Sequence, residues 1–90
     1  MDQVRIDRHT LSRAVERGTN EAEILDVLAT GTSVPARQGR LARTKVYPFA
    51  RVWRGRVYPQ KRVEVYYVVA PEGVVTVTVY VFYGRWGALE

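Results

Sequence analysis

Apolar positions along the chain change period near residue 31. Before it they recur as on helices, and after it they alternate as on strands. "RHTLSRAVERG" (8–18) puts Leu11, Ala14 and Val15 on one side of a helix, with Gly18 as a left-handed stop. "TNEAEILDVLATG" (19–31) predicts a second helix. Asn20 caps it, Glu23 is placed to reach back in a capping box, and Ile24, Leu25, Val27 and Leu28 form its buried face up to Gly31. Only Gly18 and Thr19 separate the two, so a tight helical hairpin is expected. Ahead of it, "DQVRI" alternates as a short first strand.

Downstream, "TSVPAR" (32–37) reads as a strand that Pro35 confines to an edge or bulge. "QGRLAR" reads as a turn or loop, and "TKVYPFARVW" as an extended segment in which Pro48 again argues for an edge. "RGRVYPQ" reads as a turn-rich connection. The clearest element is the last hairpin, "KRVEVYYVVA" and "VVTVTVYVFYG" around "APEG". A type I turn with Gly73 left-handed makes a three-residue loop that pairs Ala70 with Val74. The register then sets Val69, Tyr67, Val65 and Val63 opposite Val75, Val77, Val79 and Val81. The other face sets Val68, Tyr66, Glu64 and Arg62 opposite Thr76, Thr78, Tyr80 and Phe82. A slip of one residue would bring valines out and threonines in. The fold expected is α+β in a single domain, 1–90: an N-terminal helical hairpin packed on the valine face of a twisted antiparallel β-sheet. Arg62, Glu64, Tyr66 and Tyr80 face away from the helices.

Composition narrows the chemistry. With 47% hydrophobic residues in 90, the chain is suited to one modest core and not to a disordered tail. It has no cysteine, which removes disulfides, thiolate metal sites and a cysteine nucleophile. With one histidine, a zinc site would need several carboxylates, so no metal and no cofactor are expected. No apolar run reaches the roughly 20 residues that cross a bilayer, and "MDQVRIDRH" is no signal peptide. A cytoplasmic location without a membrane partner is the expectation.

Charge changes the picture more. Residues 1–31 carry four arginines against six acids, whereas residues 32–90 carry ten basic residues against three acids. From Arg37 to Arg62 there are nine Lys or Arg and no acid, interleaved with Tyr47, Phe49, Trp53 and Tyr58. Cations among aromatic planes suit a polyanion with bases to stack, such as RNA or single-stranded DNA. The plain alternative is an arginine-rich solvated surface.

The segments "HTLSRAVERG", "TNEAEI" and "VVTVTVY" resemble a family of small bacterial proteins catalogued as domain of unknown function 4258, over most of the chain. The element order is similar to that of the RelE/ParE toxin superfamily, β-α-α-β-β-β. That resemblance implies a toxin of a toxin–antitoxin pair. Ribonucleases among those toxins cut mRNA without a metal, using basic residues, with a carboxylate, histidine or tyrosine in some, on the sheet face away from the helices. None of their residue-by-residue motifs is matched here. The chain also ends at Glu90, soon after its last strand, where many such toxins continue. The remaining partner this reading admits is a small acidic protein.

A metal-independent ribonuclease must deprotonate the 2′-OH, stabilise the pentavalent phosphate and protonate the leaving 5′-oxygen. Glu64 is the candidate base, Arg62 and Lys61 an electrostatic clamp, and Tyr80 an acid or stacking platform. Glu64 also reads as a cross-strand structural partner of Tyr80. His9 is a candidate acid or base, or a helix-entry contact. His9, Arg13, Glu16 and Arg17 share the helix stripe opposite Leu11, Ala14 and Val15. Arg13 and Arg17 could therefore bind phosphate or simply pair with neighbouring acids. Arg37, Arg40, Arg43 and Lys45 around "QGRLAR" form a candidate backbone clamp. Trp53 and Trp86 read as core or interface in preference to base platforms. The glycines form no phosphate-binding fingerprint, and Ser12 and Ser33 lack triad spacing. Two functions result: an RNA-binding protein able to act as a ribonuclease, or a non-catalytic interaction domain using an exposed sheet edge or aromatic patch. The first needs Glu64, Tyr80 and a base or arginine to converge on one open concavity. The second needs a flat apolar patch around Trp53, Trp86 and Phe82.

Overall fold

The computed structural model describes residues 3–87. Its elements are β1 (Val4–Arg5), α1 (Arg8–Arg17), α2 (Glu21–Thr30), β2 (Thr32–Val34), β3 (Leu41–Trp53), β4 (Arg56–Ala70) and β5 (Gly73–Gly84). The strands make one sheet in the order β1-β5-β4-β3-β2. The class is α+β, as expected. The sheet is mixed where a wholly antiparallel one was expected, because β1 runs parallel to β5, Val4 beside Val74 and Arg5 beside Val75. Four strands follow the helices where the β-α-α-β-β-β order has three; the strand expected over 32–37 is present as the short β2 but ends at Val34. Asp2, at the head of the expected first strand, lies outside the described residues. Among those residues no helix is long and apolar enough to cross a membrane.

Local chemistry explains how α1 sits. Asp7 caps it, its carboxylate accepting from the Thr10 amide at 3.1 Å and from the Thr10 hydroxyl. The Asp7 amide in turn donates to the Thr76 hydroxyl on β5 at 3.1 Å, and the Thr76 and Thr10 hydroxyls lie 2.9 Å apart. This network holds the Thr10–Ala14 side against the sheet. The helix is therefore turned by about one residue, roughly 100°, from the expected orientation. Thr10 and Ala14 are buried, while Leu11 and Val15, expected inside, are 37% and 82% exposed. A buried threonine is tolerated because its hydroxyl is hydrogen-bonded.

Asn20 caps α2 as expected, accepting from the Glu23 amide at 2.9 Å. The capping box does not close: the Glu23 carboxylate accepts from the Thr19 hydroxyl at 2.7 Å and from the Lys61 ammonium at 2.8 Å. Ile24, Val27 and Leu28 are fully buried, while Leu25 falls off their stripe and is exposed. With Ala14, Val63, Val65, Tyr67, Val74 and Val79 they form the core. Gly18 ends α1 at φ 91°, where a Cβ would also collide with the Tyr83 hydroxyl.

The sheet departs from expectation at three places. Strand β3 begins at Leu41, inside the expected loop. Pro48 lies beyond Thr44, where β2 stops covering β3, and a bulge follows between Pro48 and Arg51. The connection expected over 54–60 shrinks to a two-residue turn at Arg54 and Gly55, with φ of 51° and 84°, so Arg56–Gln60 are strand. In the last hairpin, pairing from Arg62–Phe82 through Tyr66–Thr78 is the expected one. Beyond it, Val77 is extra: Tyr67 faces Thr76, Val69 faces Val74, and Ala70 faces Gly73 across a two-residue turn. The bulge thus brings Val74 and Thr76 to the helix face in place of Val75 and Val77. Gly73 approaches β1 so closely that a Cβ would strike the Gln3 carbonyl, and the next amide, of Val74, donates to that carbonyl at 2.8 Å.

Candidate functional site

The sheet face turned away from the helices carries Arg62, Glu64 and Tyr66 from β4, beside Phe82, Tyr80 and Thr78 from β5. The Tyr66 hydroxyl donates to Glu64 Oε2 at 2.7 Å, and Arg62 Nη2 stands 4.0 Å from Glu64 Oε1. Donating to a carboxylate holds the Tyr66 hydroxyl above its ordinary pKa, with burial adding to this. Tyr66 meets Tyr80 edge-on at 5.7 Å between ring centres, and Tyr80 stacks with Phe82 at 6.5 Å. The Arg62 guanidinium lies over the Phe82 ring at 5.2 Å and the Trp86 ring at 5.5 Å. Trp86 is set there by Gln60, which accepts from the Trp86 amide and donates to the Gly87 carbonyl. Arg62 Nε is buried without a hydrogen-bond partner among the described residues.

Residues 35–40, between β2 and β3, come over this face. The Arg40 amide donates to the Arg37 carbonyl at 3.1 Å, closing a turn in which Gln38 and Gly39 have φ of 60° and 72°. Loop and sheet enclose a cleft of about 560 Å³, lined among others by Arg37, Arg40, Glu64, Tyr66, Tyr80 and Phe82. Helix α1 reaches the rim of the sheet. Arg17 Nη1 donates to the Val79 carbonyl at 2.7 Å, and its guanidinium lies 4.7 Å from the centre of the Tyr80 ring.

The structure thus brings together Glu64, Tyr80, Arg37 and Arg40, with Arg62 behind Glu64 and Arg17 at the rim. It separates the other candidates. Lys61 neighbours Arg62 in sequence but points to the helices. It is buried, donating to the Gly18 carbonyl and to Glu23, each at 2.8 Å, so it tethers the helical turn and cannot clamp a phosphate in the cleft. Arg43 donates to the Leu28 carbonyl at 3.0 Å near the end of α2. Lys45 donates to Asp26 and Thr30, each at 2.8 Å, and the Tyr47 hydroxyl donates to Asp26 at 2.6 Å. These donors hold the Asp26 carboxyl down at about 2. Arg13 pairs with Glu16 at 2.7 Å. His9 is exposed on the first turn of α1 and does not line the cleft. No three His, Asp or Glu side chains gather into a metal-holding group among the described residues.

Sequence reasoning missed the tie between Tyr66 and Glu64 and the bracketing of Arg62 by Phe82 and Trp86. The first was available, since residues two apart on a strand share a face. The aromatic residues expected in one patch divide instead. Trp53 stacks on Tyr83 at 4.8 Å, with Phe49 and Tyr58 against the same ring, while Phe82 and Trp86 bracket Arg62. Compared with protein-family models, curated proteins and solved structures, the chain matches none.

Proposed function

We propose that this protein binds single-stranded RNA in the cleft between residues 35–40 and the open face of β4 and β5. One observation carries the reading: Arg37 and Arg40 line the same cavity as the rings of Tyr66, Tyr80 and Phe82. Guanidinium groups suit phosphate oxygens, and aromatic faces suit unpaired bases.

The cleft also supports metal-independent cleavage as the finer proposal. Glu64 takes the 2′-OH proton as O2′ attacks phosphorus. The P–O5′ bond breaks, leaving a 2′,3′-cyclic phosphate, and Tyr80 returns a proton to the departing 5′-oxygen. Arg37 and Arg40 stabilise the charge on the pentavalent phosphate. Arg62 and the Tyr66 hydroxyl position Glu64, and His9 has no part in the step. The experiment is incubation of a long single-stranded RNA with EDTA present, alongside a gel-shift measurement of binding. Wild type should bind and cleave, and Glu64→Gln and Tyr80→Phe should each lose about 10²–10⁴ in rate. Binding without cleavage in any variant would leave an RNA-binding protein only. Absence of both would sink the proposal.

A further inference from the structure

The cleft leaves the rim of the sheet unexplained. A second cavity, of about 240 Å³, lies at the outer edge of β5 and is lined by Arg17, Trp53, Arg54, Tyr80, Val81 and Tyr83. Among the described residues no acid lines it, and Tyr80 lines both it and the cleft. Strand β1 pairs with β5 at Val74 and Val75, and among the described residues no strand covers that edge from Thr76 onward. Arg54, exposed at the tip of the β3–β4 turn, holds its guanidinium 5.4 Å from the Trp53 ring. Each cavity therefore offers two arginines and aromatic rings, one on either side of Tyr80.

We infer that a bound RNA strand continues past the cleft and crosses the outer edge of β5, with Tyr80 dividing two nucleotide subsites. This rests on the RNA-binding reading of the cleft. The first subsite uses Arg37 and Arg40 for phosphate and the Tyr66 and Phe82 rings for a base. The second uses Arg17 and Arg54 for phosphate and Trp53 for a base. A single strand is the occupant because its bases are free to lie on rings. A peptide strand adding to this edge would have to displace Arg17 from the Val79 carbonyl.

The test is Arg54→Gly. It removes the guanidinium, and glycine accepts the φ of 51° at that position, so the turn is kept. Affinity is measured for single-stranded RNAs of increasing length, in a Trp86→Phe background that leaves Trp53 as the only indole. Wild-type affinity should rise once the strand outgrows the cleft, with Trp53 fluorescence quenched from that length. Arg54→Gly should bind the shortest strands normally and lose about tenfold on the longer ones. Equal affinity of wild type and Arg54→Gly at every length, while Arg37→Ala/Arg40→Ala binds less, would overturn the second subsite and leave the cleft standing. Wild type that binds no RNA of any length would overturn both.

Discussion

Arg17 grips the rim of the sheet through two groups of adjacent residues, donating to the Val79 carbonyl at 2.7 Å while its guanidinium rests 4.7 Å from the centre of the Tyr80 ring. A residue on the helix layer thereby fixes a ring on the opposite face. Arg17→Ala should cost about 2 kcal/mol in urea unfolding, from a charged hydrogen bond and a cation–π contact. Tyr80→Phe keeps the ring and should stay within about 0.5 kcal/mol of wild type, whereas Tyr80→Ala should not. Equal losses for both Tyr80 variants would mean that the ring contact contributes little.

Lys61 is a buried cation held by Glu23 and the Gly18 carbonyl. Lys61→Met strands a partly buried carboxylate and should destabilise by about 3 kcal/mol. Adding Glu23→Gln should recover most of that loss, which a double-mutant cycle measures. If Lys61→Met instead folds normally and weakens RNA binding in proportion to salt, Lys61 belongs to the interface after all.

Much of this was legible in the sequence. The change of hydrophobic period gave both helices, and the valine alternation gave Glu64 opposite Tyr80 correctly because that half of the hairpin is regular. The upper half was not legible. Its register depends on Gly73 meeting the Gln3 carbonyl and on Thr76 being wanted beneath Asp7 and Thr10, contacts between residues about 70 apart. The same network turned α1, so a reading of its apolar side alone placed Val15 inside. From Arg37 to Arg62 the basic residues read as one acid-free block in the chain. The fold divides them into tethers of α2 (Arg43, Lys45, Lys61) and groups facing the cleft (Arg37, Arg40), which only the third dimension decides.

Stability should fall at both ends of the pH range. Asp26 is held at about 2 against an ordinary 3.8, first by the hydrogen bond from Lys45 and then by that from Tyr47. Its contribution is complete above 3.8 and is lost as pH falls through about 2. Tyr83 is pushed up to about 12 from 10.0, first by burial and then by Glu23. Its contribution is present below 10.0 and is lost as pH rises through about 12. Tyr47 is raised as well, by burial and by Asp26. Urea midpoints across pH should show both limbs, and Asp26→Asn should flatten the acid one. An unchanged acid limb in that variant would contradict the assignment.

Gly18 joins a left-handed backbone to close contact with Tyr83, whose hydroxyl donates to the Arg17 carbonyl at 2.7 Å. Gly18→Ala should lose more than about 1 kcal/mol, since strain and collision add. A melting temperature equal to that of wild type would show that the α1–α2 turn and the ring can move apart freely.

The central claim is that Arg37 and Arg40 hold phosphates of a single RNA strand against the Glu64–Tyr80 face. The most direct measurement is the salt dependence of affinity for a single-stranded RNA, in wild type and in Arg37→Ala/Arg40→Ala. Each phosphate contact on a single strand contributes about 0.7 to the slope of log affinity against log salt. The account predicts a slope shallower by about 1.4 in the double variant, with weaker binding at every salt concentration and an unchanged fold. Identical slopes and affinities in the two proteins would contradict it.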